Sequence, residues 1–215
     1  MQPPIDLKSL EAAVFRRIEA EHGPVARIRS LSQGTRFLLL LLLVAAEAAL
    51  FYLFLRRADL VDYPVDRMAI SFGGYGAVLV ASAWLALRPL YLPDRPLLRG
   101  ALVVVGLTLP VVLALMPEVP GGLQITDDRQ LRHGLFCFAD GALVAAAVLV
   151  FGRLLDRGDG PGTVLAAVAA GAAGTLLLHV HCPINHPVHL LLGHATVAVV
   201  AITAGYLLHR RGAAH

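Results

Sequence analysis

The part of this chain best equipped for chemistry reads His179-Val180-His181-Cys182-Pro183-Ile184-Asn185-His186-Pro187-Val188-His189, followed by His194. Five of the nine histidines fall within these sixteen residues, beside one of only two cysteines. Neutral imidazole and thiolate together suit zinc or copper, which makes His181, Cys182, His186 and His189 candidate metal ligands. The spacing matches no standard zinc module such as paired Cys-x-x-Cys. On a regular helix at about 100° per residue, His194 points about 140° away from His189. The second cysteine, Cys137, opens a redox reading, in which the two thiols form or break a disulfide and so shift helix packing. His133, Cys137 and Asp140 recur at i, i+4 and i+7, on one helix face. A purely structural reading stands beside these two, since His186-Pro187 also looks like a simple helix start.

The elements that must position these residues follow from composition. Hydrophobic residues make up 57% of the chain and charged residues only 15%, with a mean hydropathy of +0.71. That leaves too little polar material to solvate a globular surface. In hydrocarbon the backbone must satisfy its own hydrogen bonds, so a spanning chain is a helix bundle or a closed barrel. Barrel strands alternate in polarity, whereas this sequence has continuous apolar runs near the twenty residues that a spanning helix needs. Six runs can be marked, from Phe37 to Leu55, Met68 to Leu87, Leu97 to Met116, Gly134 to Phe151, Gly162 to Val180 and Val188 to Leu208. The expected fold is therefore all-α, a polytopic bundle of about six helices over 37–208. It is flanked by an N-terminal segment over 1–36 and a short tail over 209–215. No internal repeat is evident. The N-terminal segment carries charges of both signs, unlike a cleavable signal peptide, and the first span should remain as an anchor.

Loops rich in Lys and Arg are retained in the cytoplasm, so counting them orients the bundle. Thirteen of the 18 lie in the N-terminal segment, the even-numbered loops and the tail, and five in the odd-numbered loops. Both termini are expected to be cytoplasmic, in a bacterial inner membrane, and the two cysteines to lie near the opposite face. The same retention signals account for the net charge of +3 and the pI near 9.2. No basic patch is dense enough to suggest direct contact with nucleic acid.

The N-terminal segment itself reads as a short amphipathic helix. Asp6 suits an N-cap, and Leu7, Leu10, Val14 and Ile18 share one face with Phe15 beside them, until His22-Gly23-Pro24 ends the pattern. Such a helix either lies on the lipid surface or docks into a partner's groove, and Glu11, Glu19 and Glu21 favour the partner. Within the spans, Glu47 is costly enough, on the order of 3 kcal/mol, to expect a functional or interhelical role. Gly73, Gly74 and Gly76, and Ala170, Gly171 and Gly174, read as helix-packing positions. Pro110 should kink the third span, and Trp84 and Tyr91 suit the interfacial belt. None of these implies catalysis, and no enzymatic activity is expected.

Two stretches resemble the NrsF-like family of six-span bacterial anti-sigma factors. One is Gly23-Pro24-Val25-Ala26-Arg27-Ile28-Arg29-Ser30-Leu31 through Arg36, similar to the family's Pro-Val-Arg segment before the first span. The other is His181-Cys182-Pro183 with His189 and His194, similar to its His-Cys-Pro signature at the last loop. Here Ala26 precedes Arg27, and Gly193 stands where the family often has an aromatic. The resemblance implies a membrane-held regulator that binds an extracytoplasmic-function sigma factor through Leu7, Leu10, Val14, Phe15 and Ile18. A stimulus would be sensed at Cys137, Cys182, His181, His189 and His194. No cofactor is required by this reading, though zinc or copper could sit at the Cys/His cluster. The rival reading is a small haem- or copper-handling redox protein with His179, His186 and His194 as ligands.

Overall fold

The computed structural model describes residues 23–57, 63–89, 92–116, 127–156 and 162–212. The candidate partner-binding residues Leu7, Leu10, Val14, Phe15 and Ile18 lie outside the described residues. Within them the chain is all-helical. A short helix α1 (Pro24–Ser30) precedes α2 (Gln33–Leu55), α3 (Val65–Ala86), α4 (Pro96–Leu115), α5 (Asp127–Leu155), α6 (Gly162–His181) and α7 (Pro187–Arg211). The six from α2 to α7 are each long and apolar enough to cross a membrane, which makes this a multi-pass membrane protein.

Local chemistry sets the boundaries. Pro24 occupies the first turn of α1, where its missing N–H is not needed. Ser32 caps α2 by accepting a hydrogen bond from the Thr35 backbone N–H at 3.1 Å. Pro96 opens α4, and Pro110 lies buried within it.

Helix α6 is the axis of the bundle and packs against each of the other five spanning helices. About 89% of its apolar window is buried, against 11% for α2. Its run from Ala166 to Gly174 explains this, because Ala and Gly let neighbouring backbones come close. A Cβ at Gly174 would collide with the Gly141 carbonyl oxygen of α5, and one at Gly171 would stand 3.0 Å from Ala198 Cα of α7. The outer helices present Leu and Val to the lipid, with Leu53 70% and Leu143 74% exposed. The glycines of α3 behave differently from the packing expectation. Only Gly74 is crowded, with Leu109 Cδ2 3.0 Å from a built Cβ, while Gly73 and Gly76 face open space.

Two helices are not α-helical throughout. Ala69–Gly74 in α3 and Leu190–Ala195 in α7 are π-helical. In a π-turn the hydrogen bond runs from i to i+5, so residues five apart stack where an α-helix would splay them. His189 immediately precedes the second of these turns and His194 lies within it.

The two ends of the bundle are fastened differently. At the end where the chain enters α2, Arg36 is almost fully buried and donates to the Leu155 carbonyl at 2.7 Å and the Leu87 carbonyl at 2.9 Å. These are C-terminal carbonyls of α5 and α3, which helical geometry leaves unpaired and electronegative. Arg29 of α1 reaches the Arg153 and Leu154 carbonyls of α5 at 3.2 and 3.3 Å. At the other end, Arg57 donates its backbone N–H to the Val180 carbonyl at 3.0 Å, lays its guanidinium 4.3 Å from the Tyr63 ring centroid and contacts the Pro183 carbonyl.

Candidate functional site

The loop Cys182–His186 between α6 and α7 brings the second cysteine to the far end of the bundle. Its backbone is held from several directions. The Cys182 N–H closes a last helical bond to the Leu178 carbonyl at 2.7 Å, Tyr63 reaches the Asn185 side chain, and Arg57 reaches the Pro183 carbonyl. Opposite it, α5 presents Cys137 on a face that meets the start of α7. The approach is close because two glycines meet there. A Cβ at Gly193 would lie 3.2 Å from the Gly134 carbonyl oxygen and 3.3 Å from Cys137 Cβ. An aromatic at position 193 would need a different spacing of α5 and α7.

Four side chains converge there, namely Cys137, Cys182, His189 and His194. One ligand atom from each lies within 4.8 Å of all the others, and all four residues are buried. Cys182 Sγ is 3.1 Å from His189 Nε2, and the His189 and His194 rings meet edge to face with centroids 5.5 Å apart. The expectation that His194 turns away from His189 is therefore corrected. It assumed α-helical phase, whereas the intervening Leu190–Ala195 turn is π-helical and stacks residues five apart.

The other histidines occupy different places. His181, expected among the ligands, points its Nδ1 at the Leu55 carbonyl of α2, 2.6 Å away, and its Nε2 lies 3.9 Å from Asp140. It links the ends of α2 and α6 to the middle of α5 and stands outside the four-residue group. Asp140 faces His181 and is likewise outside that group. His186 sits at the N-cap of α7 and is also outside the group. His133 bonds the Arg129 carbonyl of its own helix at 2.9 Å.

His179, assigned only to the haem alternative, packs directly beneath the cluster. It stacks on Tyr75 of α3 with centroids 5.8 Å apart and meets His194 at 4.8 Å. Tyr75 and Gly193 are the two positions that sequence reasoning missed here. The tyrosine lay unremarked in an apolar run, and Gly193 was noted only as a departure from a motif.

Polar groups in this environment are expensive unless paired. Neither ring nitrogen of His179, nor Nδ1 of His189, meets hydrogen-bond geometry with a described partner, although both rings are almost fully buried. Each such group costs about 1–3 kcal/mol when left unsatisfied. Hydrogen bonding from the Cys137 thiol, with further bonds from His189 and His194, holds the Cys182 thiol well below its ordinary range, against burial, which raises it. Both cysteines are free, so the arrangement can bind a soft or borderline cation, or exchange between two thiols and one disulfide.

Comparison of the chain with protein-family models, with curated proteins and with solved structures finds no match.

Proposed function

We propose that this protein is a membrane-bound regulator of the anti-sigma type. In this reading the N-terminal segment holds an extracytoplasmic-function sigma factor at the cytoplasmic face of the inner membrane. A change at the buried Cys/His cluster then releases it. One observation carries the reading, namely that a single helix joins the two places that matter. Helix α5 bears Cys137 in its first half, and its C-terminal end supplies the Arg153, Leu154 and Leu155 carbonyls that hold Arg29 and Arg36. The steps from Cys137 to Leu155 span about 27 Å along the helix. A shift or rotation of α5 forced at the cluster would be felt by the arginines that seat the N-terminal segment.

The rival haem reading is disfavoured by the packing of the rings. A bis-histidine haem needs its ligands on opposite sides of a macrocycle, whereas His179 and His194 are in contact at 4.8 Å between centroids. His186, the third residue of that reading, is not part of the ring cluster.

The full chain, affinity-tagged at the C-terminus and solubilised from cells, tests the proposal. An extracytoplasmic-function sigma factor should co-purify with it, and Leu10→Glu with Val14→Glu should abolish the capture. Absence of any sigma factor from the wild-type eluate, together with a Soret band, would replace the regulator by the haem carrier.

A further inference from the structure

We propose that Cys137, Cys182, His189 and His194 bind one divalent cation of the zinc class in a closed, tetrahedral two-thiolate, two-imidazole site. The inference deepens the detector half of the proposed function and stands without the partner half, because it rests only on these four side chains and their surroundings.

The donor set comes first. Two cysteines and two histidines are a common complete tetrahedral set for zinc, with bonds of about 2.3 Å to sulfur and 2.0–2.1 Å to nitrogen. Such bonds place the donor atoms roughly 3.3–3.8 Å from one another. The four donor atoms here already lie within 4.8 Å of one another, so they need only small side-chain adjustments to close on an ion. The Cys182 Sγ to His189 Nε2 separation of 3.1 Å would open by a few tenths of an ångström, the direction expected when a hydrogen bond is replaced by two bonds to a common centre.

The environment points the same way. His194 is almost fully buried and its ring turns toward the Cys182 sulfur, within the same group of donor atoms. The ring faces the two sulfurs and His189. A cation between the four residues satisfies one nitrogen of each histidine and both thiolates at once.

Charge decides the class of ion. Entry of the metal displaces the proton of any ligand thiol, so two thiolates and two neutral imidazoles surround it. A dication then leaves the site with no net charge, whereas a monovalent copper ion leaves it at minus one. In a buried location flanked by the spanning helices, the neutral assembly avoids the cost of burying net charge. Four protein ligands also leave no position for water or substrate, which suits a structural or sensory ion.

The architecture explains how the four are gathered. Cys137 comes from α5, Cys182 from the loop, and the histidines from α7, His189 just before its π-turn and His194 within it. An ion here staples the start of α7 to α5 at the point where Gly134 and Gly193 touch.

The test uses the full chain in detergent, reduced, stripped with chelator and then titrated with Co2+ under nitrogen. The expected result is about one cobalt per chain, with a thiolate-to-cobalt charge-transfer band and the intense visible bands of tetrahedral coordination, both lost on adding Zn2+. Cys137→Ser and His194→Gln should each lose the stoichiometric uptake, while His181→Gln and His186→Gln keep the wild-type spectrum. The wild-type spectrum carries the test even if a ligand variant fails to fold. Three results would each overturn the proposal: no stoichiometric uptake by the reduced wild type, a weak octahedral spectrum with no sulfur band, or a Cys137→Ser spectrum identical to wild type. Sigma-factor capture by a chain that takes up no metal would overturn this inference and leave the regulator reading intact.

Discussion

Cys182 Sγ stands 3.1 Å from Nε2 of His189, across the Pro183–His186 turn, with Cys137 close enough to hydrogen-bond the same sulfur. Two groups that share one sulfur cannot be altered independently. Removing any metal should therefore expose the two thiols to each other. In chelator and a mild oxidant, the wild type is expected to lose both maleimide-reactive thiols together and gain an internal disulfide, read by mass spectrometry of the intact chain. Cys137→Ser should keep one reactive thiol under the same treatment. Two free thiols persisting in the oxidised wild type would contradict the proximity.

Arg36 should be the most sensitive position outside the cluster. It donates to carbonyls of two helix ends from a buried position. Loss of two charge-assisted hydrogen bonds costs on the order of 3 kcal/mol or more. Arg36→Ala is expected to lower the unfolding midpoint in detergent and to speed protease cleavage between α1 and α2. Arg36→Lys should recover only part, because a single ammonium on a shorter reach does not span both carbonyls as a guanidinium fork does.

The glycines separate packing from freedom. Gly193→Ala puts a methyl 3.2–3.3 Å from the Gly134 carbonyl and Cys137 Cβ. It should destabilise by about 1–3 kcal/mol, as overpacking does, and weaken cobalt uptake. Gly174→Ala meets the Gly141 carbonyl and should be worse. Gly76→Ala enters open space and should be neutral or slightly stabilising, since alanine favours helix over glycine. Thermal unfolding of the three variants, ranked side by side, checks this order.

Orientation is tested by fusion. With both termini in the cytoplasm, a fluorescent protein joined after His215 should mature and glow, while alkaline phosphatase at the same place stays inactive. A fusion of alkaline phosphatase into the loop between α4 and α5 should be active. The reverse pattern would place the Cys/His cluster at the cytoplasmic face and remove the regulator reading as stated.

The six spans were legible because hydropathy over twenty residues is a property of composition, and composition is what a sequence displays. The first span begins at Gln33, ahead of the predicted Phe37, because Ser32 caps the helix and Arg36, counted as a loop charge, lies inside it. A charge count sees a cation but not the two carbonyl ends that accept it. The nearness of Cys137 to Cys182 followed from counting helix crossings, which puts alternate loops at one face. Which histidines turn inward did not follow, because that depends on helical phase. A 100° step fails across Leu190–Ala195, where nothing in Leu-Leu-Leu-Gly-His-Ala marks a π-turn. His181 was placed with the ligands by adjacency to Cys182. The nearby Leu55 carbonyl, 126 residues away in sequence, holds it elsewhere. Gly73 and Gly76 looked like packing positions by type, yet their open surroundings show that small residues pack only where a neighbour's path brings it near.

The π-turn in α7 has an engineering consequence. Its surplus residue makes the last helix two pieces keyed to different neighbours: the first piece presents His189 and His194 to the cysteines, and the second presents Ala198, Ala201 and Gly205 to α6. Deleting one residue between the histidines would leave them a helical turn apart and still stacked. Forcing the turn into regular α-helix without removing a residue would instead rotate everything beyond by about 100° away from α6. A graft or chimera of this helix must therefore be cut and matched on each side of Leu190–Ala195 separately, like two keys soldered at an angle.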